Sequence, residues 1–137
     1  MNAAGTQTMD LITVSRKDGL EFGIRVRGHE LTSDMSEKDG GRDRGPSPAE
    51  LLAGSLGACV AMMVQSYCQR HGYEGDVGVS LTLELADAPK RIGAIVIDVE
   101  LPDGVPHDKI DVIRRMAEKC PIHQTLSNPP RLDIDIT

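Results

Sequence analysis

"SPAELLAGSLGACVAMMVQ", residues 47–65, is the stretch from which the rest of the chain is best read. Ser47-Pro48-Ala49-Glu50 has the form of a capping box, with Ser as N-cap, Pro at the first helical position and Glu three residues after Ser. It predicts a helix running to about Arg70 or His71, with Gly72 as its stop. The helix is apolar nearly all round at first, which predicts burial. Gly54, Ser55, Gly57, Ala58 and Ala61 are small and would let another helix come close. Each interior Gly costs about 1 kcal/mol of helix propensity relative to Ala, a cost that close helix contact would offset. A 137-residue monomer has little to cover so many apolar sides. The expectation is an obligate homodimer, with Gly57 in the contact between helices.

Upstream, "LITVSRKDGLEFGIRVRG" reads as a β-hairpin, with Asp18-Gly19 as its turn signal. "HELTSD" adds a short third strand, and "MSEKDGGRDRG" is a polar, Gly-rich loop. Downstream, "VGVSLTLEL" and "IGAIVIDVEL" alternate as half-buried strands. "KIDVIRRMAEKC" places Ile110, Ile113, Met116, Ala117 and Cys120 on one helical face. Pro121 ends this helix or starts a short one. "RLDIDIT" alternates again and reads as a final strand. The order implies an α+β fold with antiparallel pairing and two main helices. No repeat or domain boundary appears, so residues 1–137 read as a single domain, with 1–8 a flexible terminus.

Composition narrows the function classes. The formal charge is −6 and basic residues form no long block, which disfavours nucleic acid as a partner. Only 2% of residues are aromatic, so the core must be aliphatic. The N-terminal residues lack the basic start and apolar run of a signal peptide. The apolar run from Leu51 to Val64 is short for a bilayer. Neither membrane nor cofactor is expected, and the implied setting is the cytoplasm. The three cysteines are an odd number at irregular spacing, unlike a secreted disulfide framework.

Those cysteines are the chemically interesting residues. Cys59 and Cys68 are nine positions apart on one helix, about 14 Å along its axis, too far for a disulfide in an intact helix. Cys120, in "EKCPIHQTLSN" (118–128), is the better partner for either, and Cys59 is favoured because its segment is the more apolar. Cys120 sits where a new helical turn begins, so local N–H groups, Lys119 and His123 would favour its thiolate. Cys59 would need a cation brought in by the fold. Three ordinary buried thiols remain the competing reading. Cys68/His71 and Cys120/His123 are both C-x-x-H, but the paired-cysteine knuckle of a zinc site is missing, so no metal is expected. His71 reads as a helix C-terminal residue, and His29 and His107 as surface loop residues. Glu50 reads first as a capping residue.

"GPSPAELLAGSLGACVAMMV" followed by "EKCPIHQTL" resembles the OsmC/Ohr family of osmotically induced and organic hydroperoxide resistance proteins. The resemblance spans nearly the whole chain and suggests a divergent OsmC-like branch. It implies an intertwined homodimer with two long central helices and active sites at the subunit interface. It also implies a thiol peroxidase: Cys59 attacks an organic hydroperoxide and becomes a sulfenic acid, Cys120 resolves it as a disulfide, and a dithiol such as dihydrolipoamide reduces that disulfide. The family glutamate stands ten residues before the attacking cysteine. Here that position is Ala49, and Glu50 is about 100° further round the helix. The family arginine comes from the first hairpin, where Arg16 is nearest the matching place and Arg25 and Arg27 are alternatives. A fold that kept its thiols but lost fast turnover, serving as a small-ligand-binding or redox-sensing protein, is the second reading.

Overall fold

A computed structural model describes residues 11–137; the terminus expected at 1–8 lies outside them. The chain divides into two compact units, Met1–Leu51 and Leu52–Thr137.

The first unit is a three-stranded antiparallel meander of β1 (Thr13–Asp18), β2 (Glu21–Val26) and β3 (His29–Ser33). Arg27 and Gly28 make the second turn, both at positive φ (50° and 81°) with Val26 opposite His29, the backbone of a tight two-residue hairpin. His29 is therefore a strand residue rather than a loop residue. Register puts Val14, Ile24 and Leu31 side by side, with Arg16 beside Phe22 in the next rung of the same face.

The loop expected at 35–45 is organised around one carboxylate. Asp34 is only 2% exposed. Its Oδ1 accepts from the Met35 N–H at 2.7 Å, and its Oδ2 from the N–H groups of Arg42 and Arg44 at 3.2 and 3.1 Å. The Arg42 guanidinium returns to the first hairpin, contacting Asp18 at 3.0 Å and Glu21 at 3.1 Å. Asp34 N–H and Ser33 Oγ both donate to the Pro46 carbonyl. The loop thus closes just before Ser47 and sets the start of the helix.

That helix, α1 (Pro48–Arg70), begins where the sequence placed it. Ser47 N–H donates to Glu50 Oε1 at 2.9 Å, and Glu50 N–H donates to Ser47 Oγ at 3.2 Å, so the capping box is reciprocal. At 23 residues α1 is long and apolar enough to cross a membrane by length and composition, more than the run from Leu51 to Val64 suggested. Its buried stripe of Ala53, Leu56, Gly57, Val60, Val64 and Cys68 makes it a core helix instead.

The second unit packs that stripe on a hairpin of β4 (Gly78–Ala86) and β5 (Arg91–Glu100). Val79, Leu81, Ile95, Ile97 and Val99 line the core side. Turn residues His107–Lys109 lead into α2 (Ile110–Glu118), and α3 (Pro121–Ser127) follows. On the expected face of α2, Ile113 is buried and Ile110, Met116 and Ala117 are half-buried. Cys120 at the junction is fully buried. Gln65 bridges the connection after α1, donating to Gly75 O and accepting from Val77 N–H.

Two expectations are corrected. Residues 129–137 form no strand, and Leu132, Ile134 and Ile136 stand 83–92% exposed. Alternation supplies a strand's pattern, but a strand also needs an edge to pair with, and none meets this segment in the single chain. Gly57 is not on a free face. A Cβ built there would lie 2.5 Å from Leu81 Cδ1, so its small size serves close approach of α1 to β4. A Cβ at Gly54 would meet nothing within 4 Å.

Two outcomes follow from this packing. Gly57→Leu should overpack the α1–β4 contact and lower stability by about 1–3 kcal/mol or more, measured by denaturant unfolding. For Asp34, burial pulls the carboxyl upward, but the amides of Arg44, Met35 and Arg42 and the Arg42 charge outweigh it and hold it below the ordinary aspartate range. Because it titrates lower folded than unfolded, its contribution is complete at neutral pH and is lost as pH falls below about 4. Protection of the Met35, Arg42 and Arg44 amides, relative to their intrinsic exchange rates, should fall over that acid range, and in Asp34→Ala should already be lost at pH 7.

Candidate thiol site

The site lies in the second unit, where α1 meets the α2–α3 junction. Cys59 is half-buried on the flank of the packed stripe. Cys120 terminates the apolar face of α2, and its N–H donates to the Ala117 carbonyl at 3.1 Å. Pro121 cannot continue α2 and instead occupies the first position of α3. The turn brings Cys120 back towards α1, and the two cysteines are disulfide-bonded with Cα atoms 6.0 Å apart, inside the span a disulfide needs. Cys120 is also the N-cap of α3, where its Sγ accepts from the His123 N–H at 3.5 Å.

Cys68, the third cysteine, is fully buried and unpaired among the described residues. Burial pushes its thiol pKa up, which keeps it protonated and inert. The neighbouring His71 bonds through Nδ1 to the Tyr67 carbonyl at 2.9 Å and stacks on the Tyr67 ring at 4.0 Å between centroids. Among the described residues no cluster of three His, Cys, Asp or Glu side chains is arranged to hold a metal ion.

The other two candidates have local engagements in the first unit. Arg16 is exposed on β1, and its Nε donates to the Gly19 carbonyl at 2.8 Å. Arg25 lies 3.6 Å from Glu30 in an exposed ion pair, and Arg27 occupies the β2–β3 turn. The Ser47 N–H, and then its hydroxyl, hold the Glu50 carboxyl below its usual range. Glu50 is therefore an ionised carboxylate occupied in capping.

The second unit also holds a cavity of about 380 Å3, lined among others by Val60, which follows Cys59 in sequence, and by His123, whose N–H meets Cys120. Val60, Val64, Ile97 and Ile113 give it apolar walls, and Asp98, Arg114, Glu118 and His123 its polar groups. Sequence reasoning did not assemble these polar residues. The available signal was that Arg114 and Glu118, four apart on α2, border the apolar Ile110–Ile113–Ala117 face.

Comparison with known proteins places this geometry. A family model described as OsmC-like protein matches residues 38–135. No curated protein matches the chain in sequence. Among solved structures, an OsmC like protein from Mycoplasma pneumoniae is similar with TM-score 0.75 at 16% identity, over 90% of this chain and 91% of that one. The organic hydroperoxide resistance protein OhrB of Bacillus subtilis superposes with TM-score 0.62 at 20% identity, over 87% and 92% of the two chains. An organic hydroperoxide resistance protein OsmC from Legionella pneumophila gives TM-score 0.60 at 17% identity, over 88% and 91%. These likenesses establish the fold. Matched from Lys38 in the loop before α1 to Asp135 in the exposed C-terminal segment, the chain belongs to the family of OsmC-like proteins.

Proposed function

We propose that this protein is a thiol-dependent peroxidase that reduces organic hydroperoxides in the cytoplasm. The observation that carries the reading is that the fold brings Cys59 and Cys120 within disulfide reach, with Cα atoms 6.0 Å apart, as such a cycle requires. Membership of the OsmC-like family and the hydroperoxide-resistance names of two structural relatives support it. The Cys59 thiolate attacks the peroxide bond, releasing an alcohol and leaving a sulfenic acid. Cys120 displaces hydroxide from that sulfur, giving the disulfide and water before overoxidation. A dithiol such as dihydrolipoamide restores both thiols. Arg16 is the proposed cation for the Cys59 thiolate, and Glu50 the carboxylate that would orient it.

A second reading has its own observation. Glu50 Oε1 accepts the Ser47 N–H in the capping box, so the angle at which its carboxylate could meet an arginine is set by capping and not by the thiol. An OsmC fold that binds a small ligand or senses oxidants through a slow disulfide fits that arrangement.

A homodimer belongs to the same proposal. Val14 and Leu31 of the first sheet, Met62 of α1, and Leu132, Ile134 and Ile136 are all more than half exposed. The three exposed apolar side chains of the C-terminal segment, Leu132, Ile134 and Ile136, are of the kind a second chain would cover. Gly54, Ala58 and Met62, at i, i+4 and i+8, line the exposed side of α1. A second copy would supply both a helix for this stripe and an edge for the C-terminal segment.

Steady-state reduction of cumene hydroperoxide with dihydrolipoamide tests the activity. Cys59→Ser should abolish turnover, by at least about a thousandfold, and turnover that survives would refute the assignment. With Cys120→Ser, mass spectrometry should find Cys59 as sulfenic and then sulfinic acid with no intramolecular disulfide. Dithiol turnover no faster than that of a free thiol would favour the sensing reading. For assembly, Gly54→Leu should shift the dimer towards monomer in light scattering, and a wild-type monomer at micromolar concentration would remove the proposal.

A further inference from the structure

His123 has two relationships to the thiol pair, and the peroxidase cycle described above uses neither. Its backbone N–H donates to Cys120 Sγ. His123 also lines the cavity that Val60, next to Cys59, and Ala117, whose carbonyl holds the Cys120 N–H, line. Cys120 is the N-cap and His123 the third residue of α3, so the two share the first turn of that helix. Ser127, one turn further on, meets His123 Nδ1 through its hydroxyl at 3.4 Å. Among the described residues Nε2 has no hydrogen-bond partner. Cysteine, histidine and hydroxyl are thus spaced at i, i+3 and i+7 along α3. A reactive thiol, a base and a group that orients the base follow the same logic in thiol enzymes generally.

We propose that His123 is the proton-transfer residue of the Cys59–Cys120 pair and that Ser127 positions its ring. The proposal rests on the disulfide-forming half of the reading above. In resolution, the Cys120 thiol gives its proton to the imidazole. The thiolate then attacks Cys59 Sγ, the S–S bond forms, and the S–O bond of the sulfenic acid breaks. The leaving hydroxide takes the proton back from the imidazolium. The balance is one sulfenic acid plus one thiol giving one disulfide plus water. In recycling, a dithiol attacks Cys59 Sγ and expels Cys120 as a thiolate, which the imidazolium stabilises and protonates. The walls contributed by α1 and β5 are mostly apolar, so a local proton carrier matters more than it would in open water. The charged groups facing the same cavity are Asp98 on β5 and Arg114 and Glu118 on α2.

Two rates measured on the intact protein test this. In the first, reduced protein receives one equivalent of cumene hydroperoxide in a stopped-flow instrument, and sulfenic acid and disulfide formation are followed as separate phases. His123→Gln keeps the backbone N–H on Cys120, so the first phase should stay within about twofold of wild type. The disulfide phase should slow by about tenfold to a hundredfold and lose its histidine-range inflection with pH. In the second, oxidised protein is reduced with dithiothreitol and no peroxide, and the same variant should slow by about tenfold and lose the same inflection. Ser127→Ala should slow both by a few-fold and displace the inflection without abolishing it, which loss of packing alone would not do. Wild-type rates and pH profiles for His123→Gln in both measurements would overturn the proposal. If wild-type protein forms no sulfenic acid but the dithiothreitol result holds, the peroxidase reading fails and the role of His123 in thiol exchange stands.

Discussion

Burial of one stripe of α1 on the β4–β5 hairpin governs the second unit. Val60, Val64 and Cys68 are essentially inaccessible, and each apolar side chain so buried contributes about 1.5–3 kcal/mol. The stripe closes because Gly57 lets α1 come down onto Leu81. Once its rotation is set this way, Cys59 is turned towards the α2–α3 junction. The helix register therefore places the thiol, and Cys120 needs only a break in α2 to reach it. Pro121 makes that break.

Much of this was legible because the signals are local. A capping box, a hairpin turn and an alternating strand are each specified within a few residues, and those elements lie where the residues indicate. Gly57 was misplaced because a small residue announces a close neighbour without saying whether it is a helix or a strand. The segment 131–137 was misread for a related reason: Leu132, Ile134 and Ile136 carry the alternation, but pairing is non-local and no edge is present within the chain. Asp34 gave no sign of its role. Its three amide partners lie up to ten positions downstream, and nothing in "TSDMSEK" marks a carboxylate about to be buried.

Sequence pattern also hides where charge is spent. Arg42 stands in what reads as a solvated loop, yet it joins that loop to Asp18 and Glu21. Exposed pairs of this kind stabilise little. Their use here is geometric, since they fix the path into Ser47 together with the amides on Asp34. The first turn of α1 inherits its direction from that loop, so an acidic residue thirteen positions upstream helps decide where the capping box forms.

Glu50 is where the two functional readings part. A carboxylate satisfied by the Ser47 amide and hydroxyl is strongly ionised, and that suits a helix N-terminus, where negative charge is favourable. To orient an arginine it would have to give up one of those bonds or share an oxygen. Oε1 accepts from the Ser47 amide, and a carboxylate has acceptor capacity beyond one such bond. Sharing is therefore chemically open, but at an angle set by capping and not by the thiol. In the pattern this chain resembles, the carboxylate would stand at Ala49, free of that duty. On the proposed reading, moving it by one position would exchange an independent orienting group for a better helix start. The thiol pair keeps its geometry either way, because Cys59 and Cys120 are placed by the α1 stripe and by Pro121, neither of which depends on Glu50. On the proposed peroxidase reading, disulfide formation and peroxide activation would thus be separable in this chain, and a change at Glu50 would relax the second without disturbing the first.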